Sequence, residues 1–483
     1  MKEGLRAGTL DILGQDGLHR VHAAALSLLE NPGIQSTSGQ ILDLFRQGGA
    51  GVDRDSGIIR VPAALVEAAI ASAPRSFVIH GRGPEMDLRV ESGRIFYGMG
   101  GTSVPYVWDH AIGRPRDPTQ ADMAACTRVG HALPNVDFIM ALCTAGDAPK
   151  DQSFFHDYDA MLRNTTKPIV FSVVGRQATA RILGMAAAAC GGEAELRRRP
   201  LGMAMASAVS PLTVTELTEG IIDAVEFGVP IRYGVGPMMG GTGPATVAGT
   251  LAQSLAETLF GLVLVQLVKP GAPVVLAPNT NVMDMATGQC TYASPEQTLG
   301  KMAVAQLGRL YRLPTWATGG GVESKLPDSE AAAQAMMGML LCALAGVTFC
   351  QNLGTLASGL YGSMEQLLIC DEIASMVKRI LAGLRVDEDT LALDVIREVG
   401  HRGDFLTRAH TLEHFRSDLF FPALFRRQSI DGWLARGARA IADVAHERVQ
   451  AILAGSAPAD PAIDRDVRSR ILPDPPAEPF QDG

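Results

Sequence analysis

The stretch from Val229 to Asn281 reads VPIRYGVGPMMGGTGPATVAGTLAQSLAETLFGLVLVQLVKPGAPVVLAPNTN. Its beginning is rich in β-branched and aromatic residues, which predicts a strand. A long apolar run without proline follows Pro244, which is expected at the first helical position, and Pro270 with Gly271 ends that run. A second β-rich run, Ala272 to Leu276, comes next. A strand that returns to another strand through a helix predicts a parallel pair.

The same strand and helix unit recurs along the chain at spacings of about 30 to 45 residues. Eight strand-like runs favour a closed (β/α)8 TIM barrel over a doubly wound sheet, because such a barrel needs ~250 residues and residues 95–355 supply them. The sequence therefore predicts an α/β fold built on this barrel. The eight runs are Ile95–Gly98, Val136–Cys143, Pro168–Val174, Leu201–Ala206, Pro230–Val235, Ala272–Leu276, Pro314–Ala317 and Val347–Cys350.

Helical patterns dominate on both sides of the expected barrel. Residues 1–94 predict an N-terminal cap of helices with a small β-ribbon, and residues 356–455 predict a C-terminal helical extension packed on the barrel. Residues 456–483 are rich in Pro, Asp and Ala, which is typical of a disordered tail. The predicted helices are Leu18–Glu30, Thr37–Gln47 and Pro62–Ala73 in the cap, and Met364–Leu384, Asp387–Val399 and Gln428–Leu453 in the extension.

Composition argues against several classes of partner. The 483 residues are 47% hydrophobic and carry a net charge of -9 with no long Lys/Arg run, which argues against a nucleic-acid or anionic-membrane surface. The seven cysteines form no CxxC pair, so they predict reduced thiols rather than a disulfide framework or a zinc site. The first residues lack an apolar export segment, and a cytoplasmic location is expected.

The long apolar run is hydrophobic almost all round. Its clearest polar or small stripe is Gly249, Gln253, Glu257 and Gly261, at four-residue spacing. Such a helix needs both faces covered, and contact with a second copy of the chain is one way to cover the outer face. A homo-oligomer is therefore expected.

A glycine-rich loop, Gly236 to Gly243, leads from the first strand of this unit into the helix. Backbone N–H groups at the positive end of a helix are a natural anion seat. Turn geometry alone would explain the same glycines, and the pattern is neither a P-loop nor a dinucleotide fingerprint. Both interpretations stay open; the candidate binding residues are Gly240, Gly241, Thr242 and Gly243.

The carboxyl ends of the strands are where (β/α)8 barrels carry out chemistry. Ser207 and Asn279 are polar residues at two such ends, and we select them as candidate substrate-binding residues. The expected rim comprises Tyr97 to Ser103, Cys143 and Thr144, Ser172, Ser207 to Ser210, Gly236 to Met239, Pro278 to Asn281, Thr318 to Glu323, and Gln351 with Asn352.

Four segments carry a resemblance to a known family. They read GGTGPATVAGTLAQSLAETLFGLVLVQLVKPGAPV from Gly240, SPEQTLGKMAVAQLGRLYRLPTWATGGG from Ser294, LDVIREVGHRGDFL from Leu393 and HTLEHFR from His410. On these segments the chain resembles the trimethylamine and glycine-betaine methyltransferase family. The resemblance implies a barrel enzyme that takes a methyl group from a methylated amine and passes it to the cobalt of a separate corrinoid protein, with no tightly bound cofactor of its own.

One departure from the family bears on the substrate. The trimethylamine enzymes of the family carry pyrrolysine near the segment that here runs from Thr318 to Asp328, whereas this chain has standard residues throughout. A tertiary amine must be activated before it can lose a methyl group, but a quaternary ammonium already has a neutral amine as its leaving group. The departure therefore predicts a quaternary-amine substrate, glycine betaine or a related betaine.

Aromatic faces and carboxylates are expected to hold a trimethylammonium group, because it cannot donate a hydrogen bond. Tyr97 and Trp316 are the aromatic residues nearest strand ends, although core packing would explain either. Glu323 lies in a glycine loop and is the expected acid, while Gln351 and Asn352 could orient the leaving amine or satisfy backbone groups. These last three are the candidate catalytic residues. A carboxylate on the substrate is expected to bind the glycine-rich loop.

The sequence also bears on a possible metal site and on alternative functions. His410 and His414 have an i, i+4 spacing but lack the glutamate and third ligand of a zinc site, so no metal is expected. Tetrahydrofolate is an alternative methyl acceptor. In other functional classes, a lyase or isomerase could bind a phosphorylated substrate at the glycine loop, and a non-catalytic protein could bind quaternary amines.

Overall fold

Eight strands alternate with eight main helices in the computed structural model, which describes residues 1–102, 104–149 and 152–457. Each of the eight predicted runs overlaps a strand. The strands are β1 Arg94–Met99, β2 Phe138–Ile139, β3 Val170–Ser172, β4 Met203–Ser207, β5 Ile231–Val235, β6 Val274–Pro278, β7 Trp316–Ala317 and β8 Phe349–Leu353. The helices that follow them are α1 Gln120–Ala132, α2 Ser153–Asn164, α3 Arg176–Cys190, α4 Gly220–Glu226, α5 Val247–Val268, α6 Pro295–Tyr311, α7 Ser329–Ala345 and α8 Met364–Leu381.

The strands pair in parallel in two groups of four. One group has the order β7-β8-β1-β2 and the other the order β3-β4-β5-β6, and Leu5–Arg6 adds an antiparallel strand to β1. Single parallel bridges lie between the groups, joining Ile139 to Ile169 and Leu276 to Thr315. Neighbours in space are thus neighbours in the chain, and the last strand of the series lies beside the first, as the repeated unit predicts.

Short strands and one short helix lie in the connections between the main strands and helices. An antiparallel hairpin between β1 and α1 extends into the turn after β8, and a small sheet covers the loops after β5 and β6. These elements are Tyr106–Asp109, Arg114–Arg116, Thr355–Leu356 and Tyr361–Gly362 in the first sheet, Met238–Met239, Asn281–Met283 and Cys290–Thr291 in the second, Thr213–Val214 after β4, and the helix Glu193–Arg198 after α3.

The N-terminal segment covers the outer face of α5. The helix Gly39–Gln47 stacks Phe45 on Phe260 of α5 with ring centroids 4.3 Å apart, and the other two N-terminal helices pack along the same face. The long helix is consequently buried from Thr250 to Gln266 by its own chain. A second copy of the chain is therefore not needed to cover its outer face, which was the reason for expecting an oligomer. The N-terminal helices are Gly14–Glu30, Gly39–Gln47 and Ala63–Ser72, and a small sheet is formed by Ile34–Ser36, Gly51–Asp53 and Ile58–Arg60 with Thr213–Val214.

The helix α5 begins later than its proline suggests. The side chain of Thr246 accepts a hydrogen bond from the N–H of Gly249, so the first helical residue is Val247 rather than Pro244. Among the described helices, α5 is the one with the length and apolar composition to cross a membrane, and nearly all of it is buried in this fold. Burial inside the chain accounts for its apolar character.

A β-ribbon closes the amino-terminal end of the strands. It pairs Ser76–Ile79 with Leu88–Glu91, and His80 bridges Leu201 just before β4. Side chains of the ribbon join one apolar cluster with Phe96, Phe138, Trp316 and Phe349. Because this end is filled, room for a ligand is left at the carboxyl end.

The C-terminal extension is more broken than predicted. The expected helix Asp387–Val399 is divided at Ala392, whose φ of +49° is a left-handed conformation, and the expected helix Gln428–Leu453 is also divided. The last helix packs against α8 and α1. The helices are Glu388–Leu391, Leu393–Val399, Ala409–Asp418, Ile430–Ala435 and Ile441–Gly455; the predicted disordered tail lies outside the described residues beyond 457.

Candidate functional site

A cavity of about 290 Å³ lies at the carboxyl ends of the strands. Its rim is formed by exposed residues such as Ser207 and Thr242, and its floor by buried ones. Residues from both groups of strands contribute, which fits the place where chemistry is expected in this architecture. The lining residues are Thr102, Met205, Ser207, Ala208, Ser210, Arg232, Val235, Gly236, Thr242, Asn279, Asn281, Tyr292, Thr318 and Gln351.

Arg232 places a buried positive charge at the floor. Side chains alternate along β5, so Tyr233 faces α5 while Arg232 faces the cavity, where it is 5% exposed. Its Nη1 lies 3.5 Å from Ser207 Oγ, and its Nε has no partner. Burial lowers the pKa of Arg232 to about 10, which still leaves it charged at neutral pH. Within the described residues no carboxylate forms an ion pair with it.

Two unpartnered oxygens come from the other group of strands. Gln351 Oε1, within β8, and Thr318 Oγ1, directly after β7, are buried without a hydrogen-bond partner. Asn279 differs, because its Nδ2 donates to Ala277 O at 3.1 Å. Buried polar atoms are normally satisfied, so these two oxygens are available to interact with a ligand.

Tyr292 is the aromatic side chain that lines the cavity. Glu323 fixes its backbone: Oε1 accepts hydrogen bonds from the N–H of Tyr292 and, at 2.7 Å, from that of Ala293. The ammonium of Lys301 also donates to the carbonyl of Tyr292. Glu323 therefore positions a lining residue instead of lining the cavity itself.

The structure brings four of the predicted site residues to the cavity and places the others elsewhere. Ser207, Thr242, Asn279 and Gln351 line it. Asn352, with a φ of +69°, lies beside Gln351 but points its amide toward Thr355 at 3.5 Å. The residues outside the lining are Glu323, Asn352, Tyr97, Trp316, Gly240, Gly241 and Gly243, and Ser103 of the expected rim is outside the described residues.

The two predicted aromatics are core residues. Tyr97 is fully buried on the helix side of β1, where Lys378 of α8 lies 5.8 Å from its ring centre. Trp316 is inside the fold but below the cavity, packed on Phe138 and Phe349. Nearness to a strand end in sequence did not reveal which face each ring occupies, because successive side chains point to opposite faces.

The N–H groups of Gly240 to Gly243 are not free to bind an anion. The N–H of Gly240 donates to Gly243 O, and those of Gly241, Thr242 and Gly243 all donate to Met238 O, at 2.9–3.0 Å. The loop is thus a self-contained turn, and α5 begins beyond it. This differs from the expected anion seat, because the donors that would bind a carboxylate are already used.

The polar stripe of α5 holds the rim of the cavity. Gln253 donates to Thr242 O at 2.9 Å, and Glu257 accepts from Ser210 Oγ at 2.8 Å and from Leu212 N–H at 2.6 Å. Glu257 is fully buried, and burial raises its pKa. The stripe therefore connects the loops after β4 and β5.

Two residues of the site were missed from the sequence. No feature of the sequence distinguishes Tyr292 from the other aromatic residues of the chain. Arg232 carried a readable signal, since a charged residue in the middle of an otherwise apolar strand needs a reason to be buried.

The histidines of the C-terminal extension lie apart from this cavity. His414 makes ion-pair contacts with Asp389 at 3.3 Å and Asp418 at 3.2 Å, and His410 is stacked beside it. A second group of possible metal ligands combines His110, Glu365 and His446. Neither group of described residues includes a side chain that lines the cavity.

Asp157, a buried residue of α2, should make the stability of the protein depend on pH. This residue of α2 is 5% exposed and accepts a hydrogen bond from Ala145 N–H at 3.0 Å; burial raises its pKa from 3.8 to about 7. The folded state therefore holds its proton more tightly than the unfolded state, so this contribution to stability is complete below about pH 4 and is lost as the pH rises through 7. This shift in the pKa of Asp157 corresponds to a change of at most ~4 kcal/mol in the free energy of unfolding.

We expect Asp157→Asn to be as stable as the parent protein near pH 4 and more stable by ~2–4 kcal/mol at pH 8. Urea unfolding of both proteins at several pH values measures the difference. A difference that stays constant from pH 4 to pH 8 would contradict the buried, protonated carboxyl group.

Comparison with known proteins extends over nearly the whole chain. The family model for trimethylamine methyltransferase (MTTB) matches residues 4–473. A trimethylamine methyltransferase MttB of Desulfitobacterium hafniense is 34% identical over 446 residues, covering 91% of this chain and 89% of the relative. A glycine betaine methyltransferase of Desulfitobacterium hafniense strain Y51 is 30% identical over 464 residues, covering 95% of each. The solved monomethylamine methyltransferase MtmB of Methanosarcina barkeri is 14% identical, with a TM-score of 0.46 and coverage of 92% and 96%.

Proposed function

The chain belongs to the trimethylamine methyltransferase family and is a methyltransferase, and from that premise we propose that it demethylates a quaternary amine, glycine betaine or a related betaine. The methyl group passes to the cobalt of a separate corrinoid protein. The observation that supports this proposal best is the cavity lining, which combines one aromatic ring, unpartnered neutral oxygens and one buried guanidinium. Membership of a family of methyltransferases argues against a lyase, an isomerase and a non-catalytic binding protein.

The proposed architecture is a closed (β/α)8 barrel. Parallel pairing of β8 with β1, together with the bridges from Ile139 to Ile169 and from Leu276 to Thr315, supports closure of the eight strands into one ring. The domain limits remain those expected from the sequence: a cap at 1–94, the barrel at 95–355 and an extension at 356–455.

The reaction we propose is a direct displacement. The electron pair of the acceptor's reduced cobalt forms the new bond to the methyl carbon, and the pair of the broken C–N bond stays on nitrogen, which leaves as a neutral tertiary amine. Positioning of the substrate can supply several kcal/mol toward the barrier. The protein's task is then to bind the substrate, orient one methyl group toward the acceptor and exclude water.

Each cavity residue has a role in this proposal. The ring of Tyr292 faces the methyl groups, where a desolvated cation–π contact contributes ~0.5 to 2 kcal/mol. Gln351 Oε1 and Thr318 Oγ1 direct partial negative charge at the ammonium. Glu323 and Asn352 act as positioning residues, because they contact neighbours of the lining and not the cavity.

The acceptor and cellular context are proposed on family membership. A corrinoid protein is favoured over tetrahydrofolate, since the resemblance implies the former and nothing in the relatives supports the latter. We propose a cytoplasmic enzyme without a nucleic-acid or membrane partner. A homo-oligomer remains a proposal, now supported by large exposed apolar side chains between Ile380 and Leu434, such as Leu384 and Leu406, and light scattering tests it.

The proposed function is tested with a panel of methylated amines. Each is incubated with the enzyme and either a reduced corrinoid protein or tetrahydrofolate, and the demethylated amine is detected by mass spectrometry. Formation of dimethylglycine from glycine betaine with the corrinoid protein supports the proposal. Formation only with tetrahydrofolate, or with no quaternary amine at all, contradicts it.

No methylated enzyme is expected to form during turnover. Among the described residues, the cavity lining contains no Cys, Lys or His, and the thiols of Cys143 and Cys350 are fully buried outside it. Intact-protein mass spectrometry under turnover measures this directly, with enzyme lacking substrate as the control. A protein species heavier by one methyl group that forms and decays with the substrate would contradict direct displacement.

A further inference from the structure

We propose that Arg232 binds a carboxylate of the substrate and thereby restricts the enzyme to quaternary amines that carry an acid group. This deepens the proposed function and rests on it for the ammonium end of the ligand. The side chain of Arg232, and not the glycine-rich loop, then recognises the acid group of the substrate.

The first argument is that Arg232 lacks the carboxylate partner that an arginine such as Arg116 has. Arg116 holds both Asp109 and Asp122, at 2.8 and 2.7 Å, and it is more exposed than Arg232. Arg232 is more deeply buried, yet its protein contacts are a 3.5 Å approach to Ser207 and the ring of Trp316 at 5.9 Å. Removing a charge from water is costly unless an opposite charge compensates it, so the missing partner is expected from outside the chain.

The second argument is the shape of the group. A guanidinium presents a planar fork of N–H donors that matches the two oxygens of a carboxylate. The Nε of Arg232 is buried without a hydrogen-bond partner, and the hydroxyl of Ser207 lies beside Nη1. Both residues line a cavity large enough for a small zwitterion.

The third argument concerns charge balance. Within the part of the chain that the structure describes, the lining contains one positive side chain and no carboxylate. A cation without an acid group would add a second positive charge to this partly desolvated space, where like charges repel. A betaine instead adds one charge of each sign, and its acid can lie next to Arg232.

The position of Arg232 also orients the substrate. The residue belongs to β5, whereas Gln351, within β8, and Thr318, directly after β7, come from the other group of strands. An acid bound to Arg232 therefore directs the trimethylammonium group toward Gln351, Thr318 and the ring of Tyr292.

The test compares binding of ligands with and without the acid in three proteins. Calorimetry with the full-length enzyme measures binding of glycine betaine and 4-(trimethylammonio)butanoate, each against choline. We expect the parent enzyme to bind one of the two acids at least ~100-fold more tightly than choline. Arg232→Met should weaken binding of that acid by ~100-fold or more and binding of choline by less than ~3-fold. Arg232→Lys should retain part of the preference for the acid over choline. Arg197→Met, which removes an exposed arginine, is the matched control and should change neither.

A stability measurement separates binding from a structural role. If Arg232 is kept for a ligand, its unpaired charge destabilises the free protein, and Arg232→Met should raise the unfolding temperature without ligand. A lower unfolding temperature, or equal weakening of acid and choline, would overturn the inference. Turnover is measured in parallel: a parent enzyme that binds the acids in the expected manner but demethylates neither contradicts the proposed function and leaves the assignment of Arg232 intact.

Discussion

Glycine betaine is expected to be demethylated with a kcat/KM on the order of 10³-fold above that of trimethylamine. Two physical effects act in the same direction. Protonated trimethylamine is a cation with no acid group, so it enters the cavity without a partner for Arg232. Unprotonated trimethylamine avoids that cost, but loss of its methyl group would have to expel an amide anion, which is a very poor leaving group.

The two effects are separable with one further substrate and one variant. Choline shares the quaternary nitrogen of glycine betaine but has no acid, so its kcat/KM should fall well below that of glycine betaine. In Arg232→Met the advantage of glycine betaine over choline should nearly vanish. The assay measures initial rates of tertiary or secondary amine formation with a reduced corrinoid protein. Turnover of trimethylamine at the rate of glycine betaine would be incompatible with both effects.

Gly261→Ala is expected to lower the free energy of unfolding by ~2–3 kcal/mol. Gly261 lies in the middle of α5 and is fully covered by the ring of Tyr233, so that an added Cβ would overlap the ring. Tyr233 is itself fully buried between β5 and the helix and has no room to withdraw. A single methyl group must therefore push α5 away from the strand that carries Arg232.

Gly184→Ala is the matched control. Gly184 is also inside a helix, α3, but an added Cβ would meet nothing within 4 Å. Alanine is the better helix former, so this change should raise the free energy of unfolding by ~0.5–1 kcal/mol. Urea unfolding of both variants gives the comparison. Equal effects of the two substitutions would mean that α5 is not packed on Tyr233 as described.

Local patterns were sufficient for most of the fold. Each strand was predicted within a few residues, because short β-rich runs between helical repeats are visible in the chain itself. The start of α5 was displaced, since a threonine side chain and not the proline provides the cap. The C-terminal helices were over-extended, because Ala392 adopts a left-handed conformation that its sequence does not announce.

The site was predicted less well than the fold, for a geometric reason. Ser207, Asn279 and Gln351 were selected because the carboxyl ends of parallel strands meet at one edge, and they line the cavity. Thr242 also lines it, although it was selected as part of an anion seat that the structure does not show. Tyr97 was misassigned because its ring is on the helix side of β1. Which of two faces a side chain occupies depends on strand register, and that is set by pairing between distant segments.

The sequence by itself determined the alternation of strands and helices, the family and, through the lack of pyrrolysine, the expectation of a quaternary amine. These follow from residue types and their spacing along the chain. The tertiary structure decided which groups are left without partners. Folding uses the N–H groups of the Gly240–Gly243 loop within its own turn and covers α5 with the N-terminal helices. It leaves Arg232 buried without a carboxylate, because hydrogen bonding and charge pairing are properties of groups brought together in space.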